Sequence, residues 1–282
     1  MSAGAVAASY VDVAAAAGTA SLTLSLTGQV VREASGTAAL TLGATGTTGP
    51  SWATYIAALT PTGWWRLGEP SGTTATDSSG NSRNGTYTST TLAAVGAVAG
   101  SDTAATFNGS TSRMNVAGGA HWPKPNQDWS VACFIKYTTT ALTMPLAIRE
   151  NGGTGASVTM YFLTGRASAG STLLSLETWD TNTPANRCDS LAAVNNGAYH
   201  FAVATFNNTS RALKLYVDGV LQSTKTQSST FNTTDRVVGV GYNPNGTGVQ
   251  FFPGTVDEVV VKAGVEWTAT QVAEMYSSRL VP

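Results

Sequence analysis

The sequence predicts an all-β fold: a two-sheet antiparallel jelly-roll sandwich with a small N-terminal β arm, a short linker helix and a C-terminal helix. Three observations carry this. From Gly63 to Lys262 apolar residues recur mostly with a period of two, the period of a strand. Trp129, Val131, Cys133 and Ile135, for example, alternate with Ser130, Ala132, Phe134 and Lys136. Turn residues separate the runs, and Asp218-Gly219 between two of them reads as a two-residue hairpin turn, since both residues tolerate positive φ. Only two short segments carry helical spacing. Many short strands with long loops and few helices make a sandwich or jelly roll.

Residues 1–49 form an Ala/Gly/Thr-rich arm with an internal repeat. Gly18-Thr-Ala-Ser-Leu-Thr-Leu-Ser-Leu-Thr-Gly28 returns as Gly36-Thr-Ala-Ala-Leu-Thr-Leu-Gly-Ala-Thr-Gly46. Leu and Thr alternate in both copies, as in a half-buried strand. An isolated hairpin is marginal in water, so the arm is expected to lie against a partner or against its own copies. A disordered leader is the alternative. Residues 50–62 read as a linker helix: Ser51 is placed to cap it, Trp52, Tyr55, Ile56 and Leu59 share one face, and Pro61 stops it.

Residues 63–282 are the body. It opens on Trp64-Trp-Arg-Leu67, a short first strand followed by a loop that holds Glu69 and Asp77. Leu173–Trp179, Tyr199–Phe206, Leu213–Val217, Val237–Val240 and Thr255–Lys262 are further strands. The first strand is expected beside Thr255–Lys262. At the end, Thr268-Ala-Thr-Gln271 fits a capping box, and Val272, Met275 and Tyr276 give a terminal helix an apolar stripe, expected to pack on the sandwich rim.

Hydrophobic residues make up 42% of the 282, enough for a sizeable core. Charged residues make up 11%, well under the ~25% of an average soluble domain. Thr, Ser, Asn and Gly must therefore cover the surface. Net charge is −1, without the basic footprint of a nucleic-acid binder. The longest apolar stretch, near Gly4–Ala17, is interrupted by Ser9, Tyr10 and Asp12 and is too short to span a membrane. No Lys or Arg precedes Arg32, so no export signal is expected. Cys133 and Cys188 make neither a disulfide framework nor a metal box, and buried thiols are expected.

The body resembles the laminin G-like, concanavalin A-like jelly-roll family. The resemblance rests on Trp65-Arg-Leu-Gly-Glu69, Asp77-Ser-Ser-Gly-Asn81 with Asn84-Gly-Thr, Phe107-Asn-Gly-Ser110 and Trp129-Ser-Val. It continues in Tyr199-His-Phe-Ala-Val-Ala-Thr-Phe206, Leu215-Tyr-Val-Asp-Gly-Val220 and Phe252-Pro-Gly-Thr-Val-Asp-Glu-Val259. Two positions depart from it: Phe134 stands where the family commonly has Trp, and Ala132 where it commonly has an acidic residue. Both read as packing changes. The Ala/Thr/Gly-rich leader ahead of such a domain resembles virion proteins of tailed phages that infect actinobacteria.

Retaining glycosidases need two carboxylates ~5–5.5 Å apart, and on a strand alternate residues supply them. No E-x-D-x-E occurs. Glu177 and Asp180 fall on opposite faces, as do Asp257 and Glu258, and no nucleophile elbow is present. A non-enzymatic role is expected. His200 reads as a structural hydrogen-bonding residue. The family resemblance implies a structural Ca²⁺, for which Asp77, Asn81 and Asp257 are the candidate ligands; plain Asx-turn chemistry is the alternative. Trp122, Trp179 and Tyr242 are candidate sugar-stacking aromatics, with core or rim packing as the alternative.

The resemblance thus implies a phage virion surface protein, a capsid decoration or minor tail protein. Residues 1–49 would bind capsid or tail proteins, and the body would face outward toward a host cell-surface glycan. A homo-oligomer, by phage habit a trimer, is expected, with no nucleic acid and no membrane insertion. A ligand-free structural decoration and a bacterial surface carbohydrate-binding accessory protein are the alternatives.

Overall fold

Two antiparallel sheets stack face to face, and two helices cover the outside of one of them. The computed structural model describes residues 49–100, 103–124, 126–150, 157–166, 172–180, 183–227, 235–244 and 250–281. The repeat arm, apart from Gly49, lies outside the described residues. Residues Thr47–Pro282 form one compact unit.

In chain order the elements are α1 (Trp52–Ala58), β1 (Gly63–Trp65), β2 (Thr74–Ala75), β3 (Gly85–Thr88), β4 (Thr91–Val95), β5 (Thr103–Asn108), β6 (Arg113–Gly119), β7 (Trp129–Lys136) and β8 (Thr143–Glu150). Then come β9 (Ser157–Thr164), β10 (Leu174–Asp180), β11 (Thr183–Asp189), β12 (Tyr199–Phe206), β13 (Ala212–Val217), β14 (Val220–Thr226), β15 (Arg236–Val240), β16 (Pro253–Ala263) and α2 (Ala269–Ser278). Sheet A runs β14-β13-β12-β7-β16-β5-β4, with β1 also paired to β16. Sheet B runs β11-β10-β9-β8-β15-β6-β3-β2. Among the described residues no helix is long and apolar enough to cross a membrane.

Period-two alternation builds the core. Trp129, Val131, Cys133 and Ile135 of sheet A face Leu146, Ile148, Met160, Phe162, Val238 and Val240 of sheet B. Both cysteines are buried and free, and burial pushes the Cys133 thiol up. The hairpin turn forms as its residues dictate, with Asp218 at φ 52° and Gly219 at φ 81°. His200 Nδ1 pairs with Asp218 Oδ2 at 2.7 Å, a structural bond beside that turn.

The first strand meets the last: Gly63, Trp64 and Trp65 pair with Val261, Val260 and Val259. The N-terminal half of β16 pairs instead with β5, from Pro253↔Asn108 to Val256↔Ala105. Between the halves the register against β7 shifts, and Glu258 takes a left-handed φ of 48°. That kink lets one strand serve two partners on the same edge.

The outward face of sheet A is apolar too. Ala132, Phe134, Phe201, Val203, Tyr216 and Val260 form a second cluster with Trp52 and Ile56 of α1 and Val272 and Met275 of α2. Trp52 lies 5.2 Å from Phe134 and 5.5 Å from Phe201, centroid to centroid. The segment expected as a linker is thus packed into the body, and α2 lies on a sheet face rather than on the rim. Ala132 and Phe134 are apolar because helices cover them. The α2 capping box is present, with Gln271 N donating to Thr268 Oγ1 at 3.2 Å. Ser51 makes no side-chain cap to α1; its hydroxyl bonds the Thr54 hydroxyl at 3.1 Å.

Candidate functional site

On sheet B the residues between the core positions face outward, and there polar side chains surround a small buried apolar cluster of Met144, Ala147, Tyr161 and Leu163. Arg113 and Asn115 come from β6, Ala147 and Arg149 from β8, Tyr161 and Leu163 from β9, and Glu177 from β10. The first residues of the β15–β16 connection, 241–244, lie against this face. Gly239 lets them approach: a Cβ there would stand 2.7 Å from Pro244 Cδ and 2.9 Å from Tyr242 Cε1. Gly241, at φ 77°, starts the turn in a conformation that L side chains rarely adopt.

Specific bonds seat the connection. Tyr242 Oη donates to Asn115 Oδ1 at 2.7 Å, and Arg113 lies 5.9 Å from the Tyr242 ring centroid. Burial raises the Tyr242 hydroxyl pKa, and Arg113 opposes that rise. Arg149 Nη1 donates to Asn243 Oδ1 at 2.6 Å, and Asn243 Nδ2 donates to Gln250 Oε1 at 3.0 Å. Met144 N donates to the Gln250 carbonyl at 3.0 Å. Tyr161 lies beside Arg149, its ring centroid 6.0 Å from the guanidinium carbon. Burial pushes the Tyr161 hydroxyl up to about 12, with Arg149 acting against the shift. Glu177 is held by Arg166 at 2.8 Å.

The three candidate stacking aromatics separate. Tyr242 belongs to this face but is only 9% exposed, its ring held between Arg113 and Phe251. Trp179 lies on β10 of the same sheet, and its side chain lies outside the described residues. Trp122 is corrected: its indole is 0% exposed and offers no face to a sugar. It packs 5.6 Å from Trp65, carries Arg83 over its ring at 5.5 Å, and donates from Nε1 to the Ala117 carbonyl at 3.0 Å. Arg113, Asn115, Arg149, Tyr161 and Asn243 were not anticipated. The pairing register that puts them on one face is invisible in a linear reading, though Gly239-Val-Gly241-Tyr242 carried a trace of it.

The three candidate calcium ligands are each engaged by hydrogen bonds within the protein. Asp77 Oδ1 accepts from Trp64 N at 3.0 Å and Ser79 N at 2.9 Å, and Oδ2 accepts from Arg83 N at 2.8 Å. Burial acts to raise its pKa, but these N–H donors together hold the carboxyl below the usual value. Asn81 Nδ2 donates to the Pro61 and Thr62 carbonyls. Asp257 is fully buried and accepts from Ala97 N at 2.7 Å. Trp65 pairs with Val259 of β16 on one side and bridges Asp77 on the other, so the β1 backbone lies between Asp77 and β16. Asp77 and Asn81 shape an Asx-type turn. Among the described residues no three His, Cys, Asp or Glu side chains converge as a metal site.

Glu69, the other loop carboxylate, accepts from Thr76 N at 2.7 Å and Tyr87 Oη at 2.8 Å. Elsewhere on the surface, a cavity of ≈ 610 Å³ between α1 and α2 is lined by Pro50, Tyr55, Ala273, Glu274 and Ser277 among others.

A family model described as the concanavalin A-like lectin/glucanases superfamily matches residues 108–273, more than half of the chain. The chain belongs to that superfamily. The strands before residue 108 fall outside the match but complete its sheets. Domain 4 of AbnA, an extracellular arabinanase from Geobacillus stearothermophilus described in complex with arabinotriose, superposes at a TM-score of 0.58 with 19% identity, over 77% of this chain and 98% of that one. The botulinum neurotoxin serotype D binding domain superposes at 0.56 with 12% identity, over 76% of this chain and 51% of that one. The Trypanosoma rangeli sialidase, in complex with sialic acid, superposes at 0.55 with 12% identity, over 77% of this chain and 32% of that one. The chain thus spans about half of the neurotoxin domain and a third of the sialidase. A search of curated proteins finds no match.

Proposed function

We propose that this chain is a non-enzymatic surface protein of a phage particle, a capsid decoration or minor tail protein whose jelly roll binds host surface glycans. The observation that carries the glycan part is the outward face of sheet B, where Tyr242, Asn115 and Arg113 are fixed together at the start of the β15–β16 connection. Sugar sites combine an aromatic surface with a few oriented polar groups. Superfamily membership and a similar domain described in complex with arabinotriose favour the same reading. For the non-catalytic part, Glu177, Glu258, Glu69 and Glu266 are each engaged by a structural partner.

The virion part rests on the Ala/Gly/Thr-rich repeat of residues 1–49 and on the resemblance of such leaders to phage virion proteins. In this reading the arm holds the particle, the body faces outward at the virion surface, and many weak sites act together through effective concentration. A homo-oligomer, a trimer by phage habit, would multiply them further. A ligand-free decoration is the second reading, favoured by the complete burial of Trp122. The test has two arms. Deleting residues 1–46 is expected to abolish incorporation into particles, and normal incorporation would overturn the anchor. The isolated body is expected to bind host cells and a glycan array, and silence on both would leave the ligand-free decoration.

A further inference from the structure

Arg149 is the least explained charged residue on the face proposed to bind glycans. It is 3% exposed, on the outward side of β8. Its Nε is buried without a hydrogen-bond partner. The neighbours of Arg149 are the Asn243 amide oxygen, on Nη1 at 2.6 Å, and the hydroxyl of Tyr161, a neutral phenol with which it also interacts. The carboxylate across the strand from Tyr161 is Glu177, and it is taken by Arg166 at 2.8 Å. Among the described residues Arg149 makes no ion pair.

A buried cation without a counter-charge is costly, because the guanidinium has left water without gaining an anion. The Nε edge is also the part of the fork with which Arg takes carboxylates and phosphates bidentately. Charge on the face points the same way. Arg113, Arg149 and Arg166 stand there against Glu177, while Arg187 and Asp189 at the sheet's edge pair with each other at 3.0 Å. A locally positive face on a chain of net charge −1 selects for anionic partners.

We propose that the outward face of sheet B takes an anionic saccharide, one bearing a carboxylate or phosphate, and that Arg149 grips its anionic oxygens. The Asn243 amide oxygen keeps Nη1, while the Nε edge, Nε with Nη2, takes the two ligand oxygens. Tyr242 and Tyr161, both buried, pack beside the pair. This rests on the reading of the face as a glycan site and names the class of glycan.

The experiment is titration calorimetry of the whole chain with oligosaccharides ending in glucuronic acid, in glycerol phosphate, or in glucose. The two acidic arms separate carboxylate from phosphate sources. Either acidic probe is expected to bind at least ~10-fold more tightly than the neutral one, to lose about 10-fold or more in Arg149→Gln, as for a lost hydrogen bond to a charged group, and to recover in part in Arg149→Lys. Equal binding of acidic and neutral probes, or no effect of Arg149→Gln, overturns the anionic assignment and leaves the glycan reading standing. Binding of none of the three, together with silence on the array and host cells, removes both. If Arg149→Gln does not fold, the wild-type chain decides: inorganic phosphate or acetate must displace the bound acidic probe, and failure of both overturns the proposal.

Discussion

Trp64 Nε1 donates to Glu258 Oε2 at 2.5 Å, tying the first strand of the body to the kink in its last. Arg66 Nε reaches the other carboxylate oxygen at 3.2 Å. The Glu258 side chain is fully buried, whereas that of Arg66 is 40% exposed. The carboxylate therefore matters more as a buried acceptor than as half of an ion pair. Glu258→Ala leaves the indole N–H unsatisfied and is expected to destabilise by about 1–3 kcal/mol. Glu258→Gln keeps an acceptor and loses only a half-exposed pair, worth about 1 kcal/mol or less. Urea unfolding of the two variants measures the difference. Equal losses would mean that the ion pair, not the indole bond, holds the strand.

Gly239 is expected to admit no larger residue. A valine there would meet Pro244 and Tyr242 where they cross the sheet, and overpacking of this kind costs about 1–3 kcal/mol. The connection must lift, breaking the Tyr242–Asn115 bond. Gly239→Val should therefore lose saccharide binding by more than its fall in melting temperature explains. Binding at wild-type strength in a folded Gly239→Val would place the site elsewhere.

The Asp77 turn gives a pH dependence of definite sign. Its carboxyl sits below the usual value of 3.8 in the folded chain. The stabilisation is thus present above the unfolded pKa and is lost as pH falls from about 4 through the folded pKa. Asp77→Asn, which cannot satisfy all three N–H donors, should be less stable at neutral pH by about 1–2 kcal/mol. It should also flatten the acid limb of a stability–pH curve, and an acid limb unchanged in this variant would remove Asp77 from that role.

Since Asp77, Asn81 and Asp257 are each engaged by hydrogen bonds and the β1 backbone lies between Asp77 and β16, calcium is expected to leave the melting temperature where it is. Scanning calorimetry with excess Ca²⁺ and with EDTA checks this. A rise of several degrees with Ca²⁺ would reveal an oxygen set that these residues do not form.

Much of the sandwich was legible because period two is a local property. Trp129–Ile135, Leu213–Val217, the Asp218-Gly219 turn and the Thr268–Gln271 box each carry their structure within ten residues. The pairing of Trp64–Leu67 with Thr255–Lys262 is a long-range feature that the fold resemblance made legible. The burial of Trp122 was not, because His121-Trp-Pro-Lys-Pro125 has loop composition and contacts with Trp65 and Arg83, far away in the chain, draw the indole inward. The face proposed to bind glycans was missed for a related reason. Arg149, Tyr161 and Asn243 share it through β8–β9 register and the start of the β15–β16 connection, and no local spacing encodes either.

The covering of sheet A leads to the last prediction. Ala132 and Phe134 lie opposite in phase to a run that already faces the core, so β7 is apolar on both sides and needs a second cover. Helix α1 supplies part of it through Trp52 and Ile56, both buried. Trp52→Ala removes an indole packed against Phe134 and Phe201. Such truncations cost about 3–5 kcal/mol, which in a body of this size lowers the melting temperature by about 6–20 °C. A chain beginning at Gly63 lacks α1 altogether and should bind a hydrophobic dye and aggregate, while a chain beginning at Thr47 retains it and is the reference. If the Gly63 chain melts like the Thr47 chain, α1 is a linker after all, and the apolar outer positions of β7 await a different cover.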